Sequence, residues 1–159
     1  MITETQIKLI QQLLNSRLES CDSFDDSYIL RNLNFVLYDN PKLLDASIDI
    51  IDNLDNKIIK YKSITSSREF WKVNGSHGNQ YLCFENFCPC QSFLQQSKSA
   101  TGQTYCKHIL SIKLGSLFKR IVDEVISEEL FISTLCSDSL IINNNQYSNS
   151  FHKFGTNNR

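Results

Sequence analysis

Apolar residues in the first third of the chain recur at helical spacing. Ile7, Ile10, Leu13, Leu14 and Leu18 make one stripe, with Thr3 or Thr5 placed to cap the helix they predict. A second helix is expected through the run YILRNLNFVLY. A third begins after Pro41, where Leu44, Ile48, Ile51 and Leu54 share a face. Asp45, Asp49 and Asp52 flank that face at the same period, the pattern of a solvated helix surface rather than of a hard-cation site.

The period changes after Lys57. The segments IIKYKSIT and FWKV are rich in β-branched and aromatic residues, and the Gly- and Asn-bearing link NGSHGN leads into QYLCF, so strands with a hairpin are expected. His77 lies in that link and reads as an exposed turn residue. Farther on, HILSIKLGSLFKRI offers Ile109, Ile112, Leu117 and Ile121 for another helix, weakened in its middle by Gly115, by about 1 kcal/mol relative to Ala. SEELFISTL predicts a last helix opened by Ser127. The Asn-rich remainder, with His152 in it, has little to bury and is expected to be disordered.

These elements give an α+β fold class, a small β-hairpin module packed with N-terminal and C-terminal helices. The expected boundaries are a helical region over 1–56, the central module with its following helices over 57–142, and the tail over 143–159. The length of 159 residues suits one domain. The 16 Lys and Arg against 17 Asp and Glu leave a net charge of −1, so no global positive field attracts nucleic acid or membrane. The opening MITETQIKLI lacks the basic segment and apolar run of a secretory signal, and no apolar stretch approaches the ~20 residues that cross a bilayer. No membrane association is expected.

Six cysteines without a secretory signal point to metal or core roles rather than disulfides. Cys21 and Cys136 stand alone in helix-like surroundings and read as small buried hydrophobes. The others cluster. Cys88-Pro89-Cys90, fifteen intervening residues and Cys106-Lys107-His108 form the pattern C-x-C-x(15)-C-x-H. Residues two apart face one side of an extended chain but diverge by about 200° on a helix, so each pair requires strand-like or turned backbone, and the following helix must begin at the second pair. Pro89, with fixed φ and no N–H, suits a ligand-presenting turn. Three thiolates and an imidazole select zinc over magnesium or calcium and leave no open coordination position, so Cys88, Cys90, Cys106 and His108 predict one structural zinc ion. Cys83 is the nearest rival ligand and reads as a core residue at the end of a strand. No third group orients a Cys–His nucleophile, and the five glycines form no phosphate-binding loop, so the chain is not expected to be an enzyme.

With FCPCQSF and YCKHIL following the hairpin-like FWKVNGSHGNQYLCF, the sequence resembles the SWIM-type zinc finger family, and within it the small SWIM subunits of the eukaryotic Shu complex. The resemblance covers about Ile59 to Leu117. It assigns the zinc to Cys88, Cys90, Cys106 and His108. The family pattern continues with alanine three residues beyond the histidine, where this chain has Ser111. The resemblance further implies a non-catalytic, nuclear adaptor in homologous recombination. Such a subunit pairs with a RecA-like recombinase paralogue and promotes recombinase filament assembly on single-stranded DNA, which it reaches through the complex.

A rival reading is an autonomous DNA-binding module. Lys98, Lys107, Lys113, Lys119 and Arg120 would meet phosphates, and Phe87, Phe93 or Tyr105 would stack on bases. Against it, aromatic residues beside a small zinc site usually cover it as core, and dispersed cations on a slightly acidic protein usually form a solvated face. Leu117, Phe118, Val122, Leu130, Phe131 and Leu135, read as lying on the C-terminal helices, offer more apolar surface than one stripe over the module needs.

Overall fold

Helix α1 (Glu4–Glu19) opens with a capping box. The Gln6 N–H donates to Thr3 Oγ1 at 3.2 Å, and the Thr3 N–H donates to Gln6 Oε1 at 2.8 Å. The Gln6 amide nitrogen then donates to the Val36 carbonyl at 2.8 Å and to Asp39 Oδ1 at 2.7 Å. The start of α1 is thereby tied to the end of α2 (Asp26–Val36). Helix α3 (Pro41–Asp52) carries its proline in the first turn, as expected, and buries Leu44, Ser47 and Ile51. Asp45, Asp49 and Asp52 are exposed.

This computed structural model describes residues 2–19, 25–53, 55, 57–75, 78–96 and 104–147. Three strands follow the first helices: β1 (Ile59–Ser63), β2 (Glu69–Asn74) and β3 (Gln80–Cys83), each antiparallel to the next. Next come a short helix α4 (Gln91–Gln96), α5 (Lys107–Leu117), strand β4 (Val122–Ile126) and α6 (Glu128–Tyr147). The sheet order is β3-β2-β1-β4, with β4 parallel to β1.

Side chains alternate across the sheet, and two faces bury different partners. Trp71, Val73 and Cys83 join the main core with Ile7, Ile10, Leu33, Leu44, Leu110 and Leu114 of α1, α2, α3 and α5. Phe70 points the other way, stacking on Tyr61 with centroids 5.0 Å apart and meeting the edge of Phe131 of α6 at 5.0 Å. Glu128 anchors the same turn of α6 through Ser63, Ser66 and Arg68. Ser127 accepts from the Leu130 N–H at 3.3 Å and so opens this helix as the sequence predicts.

Two elements differ from the sequence-based expectation. The helix after the zinc motif stops at Leu117, and Val122 lies in β4 rather than on a helix. The stop is a Schellman motif. Lys119 adopts φ 54°, its N–H donates to the Ser116 carbonyl at 3.3 Å, and the Arg120 N–H donates to the Gly115 carbonyl at 2.8 Å. The chain then folds back, so that a Cβ on Gly115 would lie 3.2 Å from Ile121 Cγ1 and 3.5 Å from Ile58 Cδ1. Gly115 therefore serves a close approach. The second difference is α4, which lies inside the spacer between the ligand pairs. Cys136, expected to be buried, is exposed, because α6 docks through Phe131 and turns its next residues to solvent. Helix α6 continues to Tyr147, past the boundary expected at 142. Cys21, Leu54, His77, Lys98 and His152 lie outside the described residues.

Since Phe131 is 1 % exposed and holds α6 against Phe70, Phe131→Ala should cost about 3 kcal/mol. Amide exchange should rise in α6 and the Phe70 region while zinc content stays unchanged. Equal protection of α6 in both proteins would contradict this account of its anchorage.

Candidate metal centre

After β3 the chain makes a tight turn in which Phe84 and Phe87 exchange backbone hydrogen bonds, N–H to O, at 2.9 and 3.3 Å. That turn delivers Cys88 and Pro89, and Cys90 stands immediately before α4. The Phe93 N–H donates to Cys90 Sγ at 3.4 Å and the Leu94 N–H to the Cys90 carbonyl at 3.1 Å. Cys106 plays the same part at α5: it is the N-cap, and its Sγ accepts from the Ile109 N–H at 3.5 Å. His108 follows in the first turn of that helix. Two of the three thiols thus sit where peptide N–H groups and the positive end of a helix favour a thiolate.

The four donor atoms of Cys88, Cys90, Cys106 and His108 lie within 4.8 Å of one another, and all four residues are buried. Cys88 Sγ is 3.6 Å from His108 Nδ1. Zinc–sulfur and zinc–nitrogen bonds of ~2.3 and ~2.0 Å at a tetrahedral angle place the two donors roughly 3.5 Å apart, so this spacing fits a shared ion. The protein groups alone balance poorly. Hydrogen bonds from Cys106 and Cys88 hold the Cys90 thiol far below its usual range, while the thiols of Cys88 and Cys90, followed by burial, push Cys106 far above it. Cys106 tends to lower Cys88, but Cys83, Cys90 and burial outweigh it and the net direction is upward. Only a multivalent cation lets three buried thiolates coexist, and this soft donor set takes zinc. One zinc ion per chain is the cofactor the cluster fits.

A second layer of residues fixes the imidazole. The Tyr81 ring lies over His108 with centroids 4.3 Å apart. Burial first, then the nearby thiols, raise the Tyr81 phenol above its ordinary range. Gly75 closes the layer: a Cβ there would fall 2.5 Å from Tyr81 Cε2 and 3.2 Å from His108 Nε2.

Cys83 is fully buried beside the cluster but is not one of its four donors, in keeping with a core position. Of the aromatic residues offered as stacking surfaces, Phe93 and Tyr105 are core and only Phe87 is exposed. Two of the cations already face carboxylates: Lys113 pairs with Glu85 at 3.4 Å and Arg120 with Asp52 at 3.8 Å. The layer of Gly75 and Tyr81 was missed by sequence reasoning, although a glycine directly after a strand and facing QYLCF was an available signal.

No family model and no solved structure matches the chain. It is 32% identical over 111 residues to a Dictyostelium discoideum protein named zinc finger SWIM domain-containing protein 7 homolog, a match spanning 69% of this chain and 67% of that relative. The chain belongs to the SWIM-type zinc finger family. Among other SWIM proteins, the mouse zinc finger SWIM domain-containing protein 7 is 26% identical over 96 residues, covering 59% of this chain and 63% of its own. Its zebrafish (Danio rerio) counterpart is 26% identical over 86 residues, covering 53% and 61%. The chain spans a little under two thirds of these last two. Against the SWIM pattern, Ser111 is accommodated simply: it is fully buried, and its hydroxyl donates to the His108 carbonyl at 2.8 Å.

Elemental analysis should find one zinc per chain, lost in the double variant Cys90→Ser with Cys106→Ser. Chelation should unfold β3 and α5, because structural zinc contributes about 10–16 kcal/mol while whole domains are stable by about 5–15 kcal/mol. Acid should mimic the chelator, since bound thiolates and imidazole must take up protons as the ion leaves. Gly75→Ala should weaken zinc binding roughly tenfold or more by displacing Tyr81 and His108, as supporting residues of metal sites commonly do. Unchanged affinity in a competition titration would show that this layer does not support the histidine.

Proposed function

We propose that this SWIM protein is a non-catalytic adaptor that acts in the nucleus in homologous recombination. In this reading it associates with a RecA-like recombinase paralogue and promotes assembly of the recombinase filament on single-stranded DNA. Family membership supports the reading, and the closed, buried donor set supports a structural rather than a catalytic ion. The observation that carries the adaptor role is on α2. Tyr28, Arg31 and Phe35 recur on α2 at intervals of three and four residues, and Tyr38 follows in the turn after the helix, with Phe35 81% and Tyr38 79% exposed. Aromatic and arginine side chains dominate the energetics of protein interfaces, and two such rings left in water are costly without a partner.

Autonomous DNA binding is the weaker reading. Affinity for nucleic acid grows with the number of phosphates neutralised, and here the net charge is −1 while Lys113 and Arg120 already face carboxylates. DNA is reached through the complex.

The protein alone should therefore bind single-stranded DNA weakly at physiological salt, and a co-purified RecA-like partner should be retained. Phe35→Ala with Tyr38→Ala should weaken that retention about a hundredfold, as removal of two interface hot spots does. Zinc content should be unaffected. His108→Ala should lose zinc and partner together. Tight DNA binding by the isolated chain, with no stable RecA-like partner, would favour the DNA-binding module.

A further inference from the structure

Strand β4 is one edge of the sheet. Its ladder to β1 is parallel, with Val122 opposite Ile59 and Ile126 opposite Ser63. The Val122 N–H donates to the Ile58 carbonyl and the Ile126 carbonyl accepts from the Ile64 N–H, each at 3.0 Å. In a parallel pair alternate residues turn both peptide groups toward the neighbour. Val122, Glu124 and Ile126 are thus committed to β1, and Asp123 and Val125 direct their N–H and C=O groups outward.

Nothing among the described residues answers them. Helix α6 leaves Ile126 and crosses to Phe70, away from this edge. Val122, Asp123, Glu124 and Val125 are all exposed, Val125 by 65%. Edge strands are commonly protected by a proline, a bulge or a lysine, and β4 has none of these. It carries instead two adjacent carboxylates, neither of which forms an ion pair among the described residues.

Those carboxylates select the occupant. A second copy pairing antiparallel through the centre of β4 would set Glu124 of one chain opposite Glu124 of the other, and like charges facing across a ladder are unfavourable. A strand bearing lysine or arginine is attracted by the same groups. We propose that β4 is a docking edge for an extended, basic segment of another protein, which adds to the sheet as a fifth strand beside Asp123 and Val125. This rests on the adaptor reading only for which protein supplies the segment.

The probe is a capped peptide of alternating lysine and valine, with a glutamate–valine peptide as its counterpart, titrated into the zinc-loaded full chain and followed by backbone NMR. The lysine peptide should shift and protect the Asp123 and Val125 amides, and the glutamate peptide should not. Val125→Pro removes one outward donor without touching the β1 ladder, and should weaken binding roughly tenfold or more. Val125→Thr keeps the donor and should bind as the parent does. Asp123→Lys with Glu124→Lys should reverse the peptide preference. Unchanged zinc content in each variant reports that the fold survives. Equal response to both peptides, indifference to Val125→Pro, or a concentration-dependent dimer abolished by Val125→Pro would overturn the proposal. Because the probe is a synthetic strand, it decides the docking edge even if no RecA-like partner is retained. Loss of that partner in pull-down would count against the adaptor reading alone.

Discussion

Four donor atoms must converge on one point, and the middle of this chain is arranged around that requirement. The turn at Cys88, the six-residue helix α4 and the first turn of α5 are each too short to persist alone, since helix nucleation is unfavourable and short helices are marginal in water. Binding one ion fixes all three at once. Cys90 and Cys106 take part twice, as ligands and as acceptors for the first free N–H groups of the helices that follow them. A residue that caps a helix with a thiolate and also holds a metal joins secondary structure to the metal directly.

From there the constraint spreads through α5. This helix buries His108, Ile109, Leu110, Ser111, Ile112, Leu114 and Gly115, so it is surrounded on nearly every side instead of presenting one stripe. Its first turn belongs to the metal, its flanks to the N-terminal helices and β2, and its end to Ile121 and Ile58 through Gly115. The metal site and the helical N-terminus therefore share one core. At either end a glycine sets a distance: Gly75 lets Tyr81 lie against the ligand histidine, and Gly115 lets the chain return to form β4.

What remains outside this arrangement is a set of exposed features. Phe35 of α2 and Tyr38 in the turn after it stand exposed, β4 offers a free edge, and α6 is held by its first turn while Leu130 and Ile132 face solvent. None of these features contributes to holding the ion. No described helix is long and apolar enough to cross a membrane. A metal-centred interior frees the outer faces from packing duties, because the stability that a small chain would otherwise need from apolar burial comes partly from the ion.

The ligand set was legible because metal chemistry restricts both residue type and spacing: thiolates and imidazole at C-x-C and C-x-H admit few other readings. The three N-terminal helices and the β2–β3 hairpin were legible for a similar reason, each being written in local periodicity and caps such as Thr3 and Pro41. The end of α5 was not. IKLGSLFKRI continues a plausible helical stripe, and only the pairing of Val122–Ile126 with β1, some sixty residues earlier in the chain, makes the Lys119 reversal favourable. The β-branched run IVDEVI hinted at a strand, but an edge strand has one neighbour, and that neighbour is remote in sequence. Helix α4 depended on Cys90 acting as its cap, and the exposure of Cys136 on how a single phenylalanine docks α6. The sequence by itself pointed to the four residues whose donors fit the ion, since that is a matter of local chemistry. Tertiary structure alone decided which tyrosine and glycine support them and which strand edge stays open, because those depend on contacts between segments that carry no local record of one another.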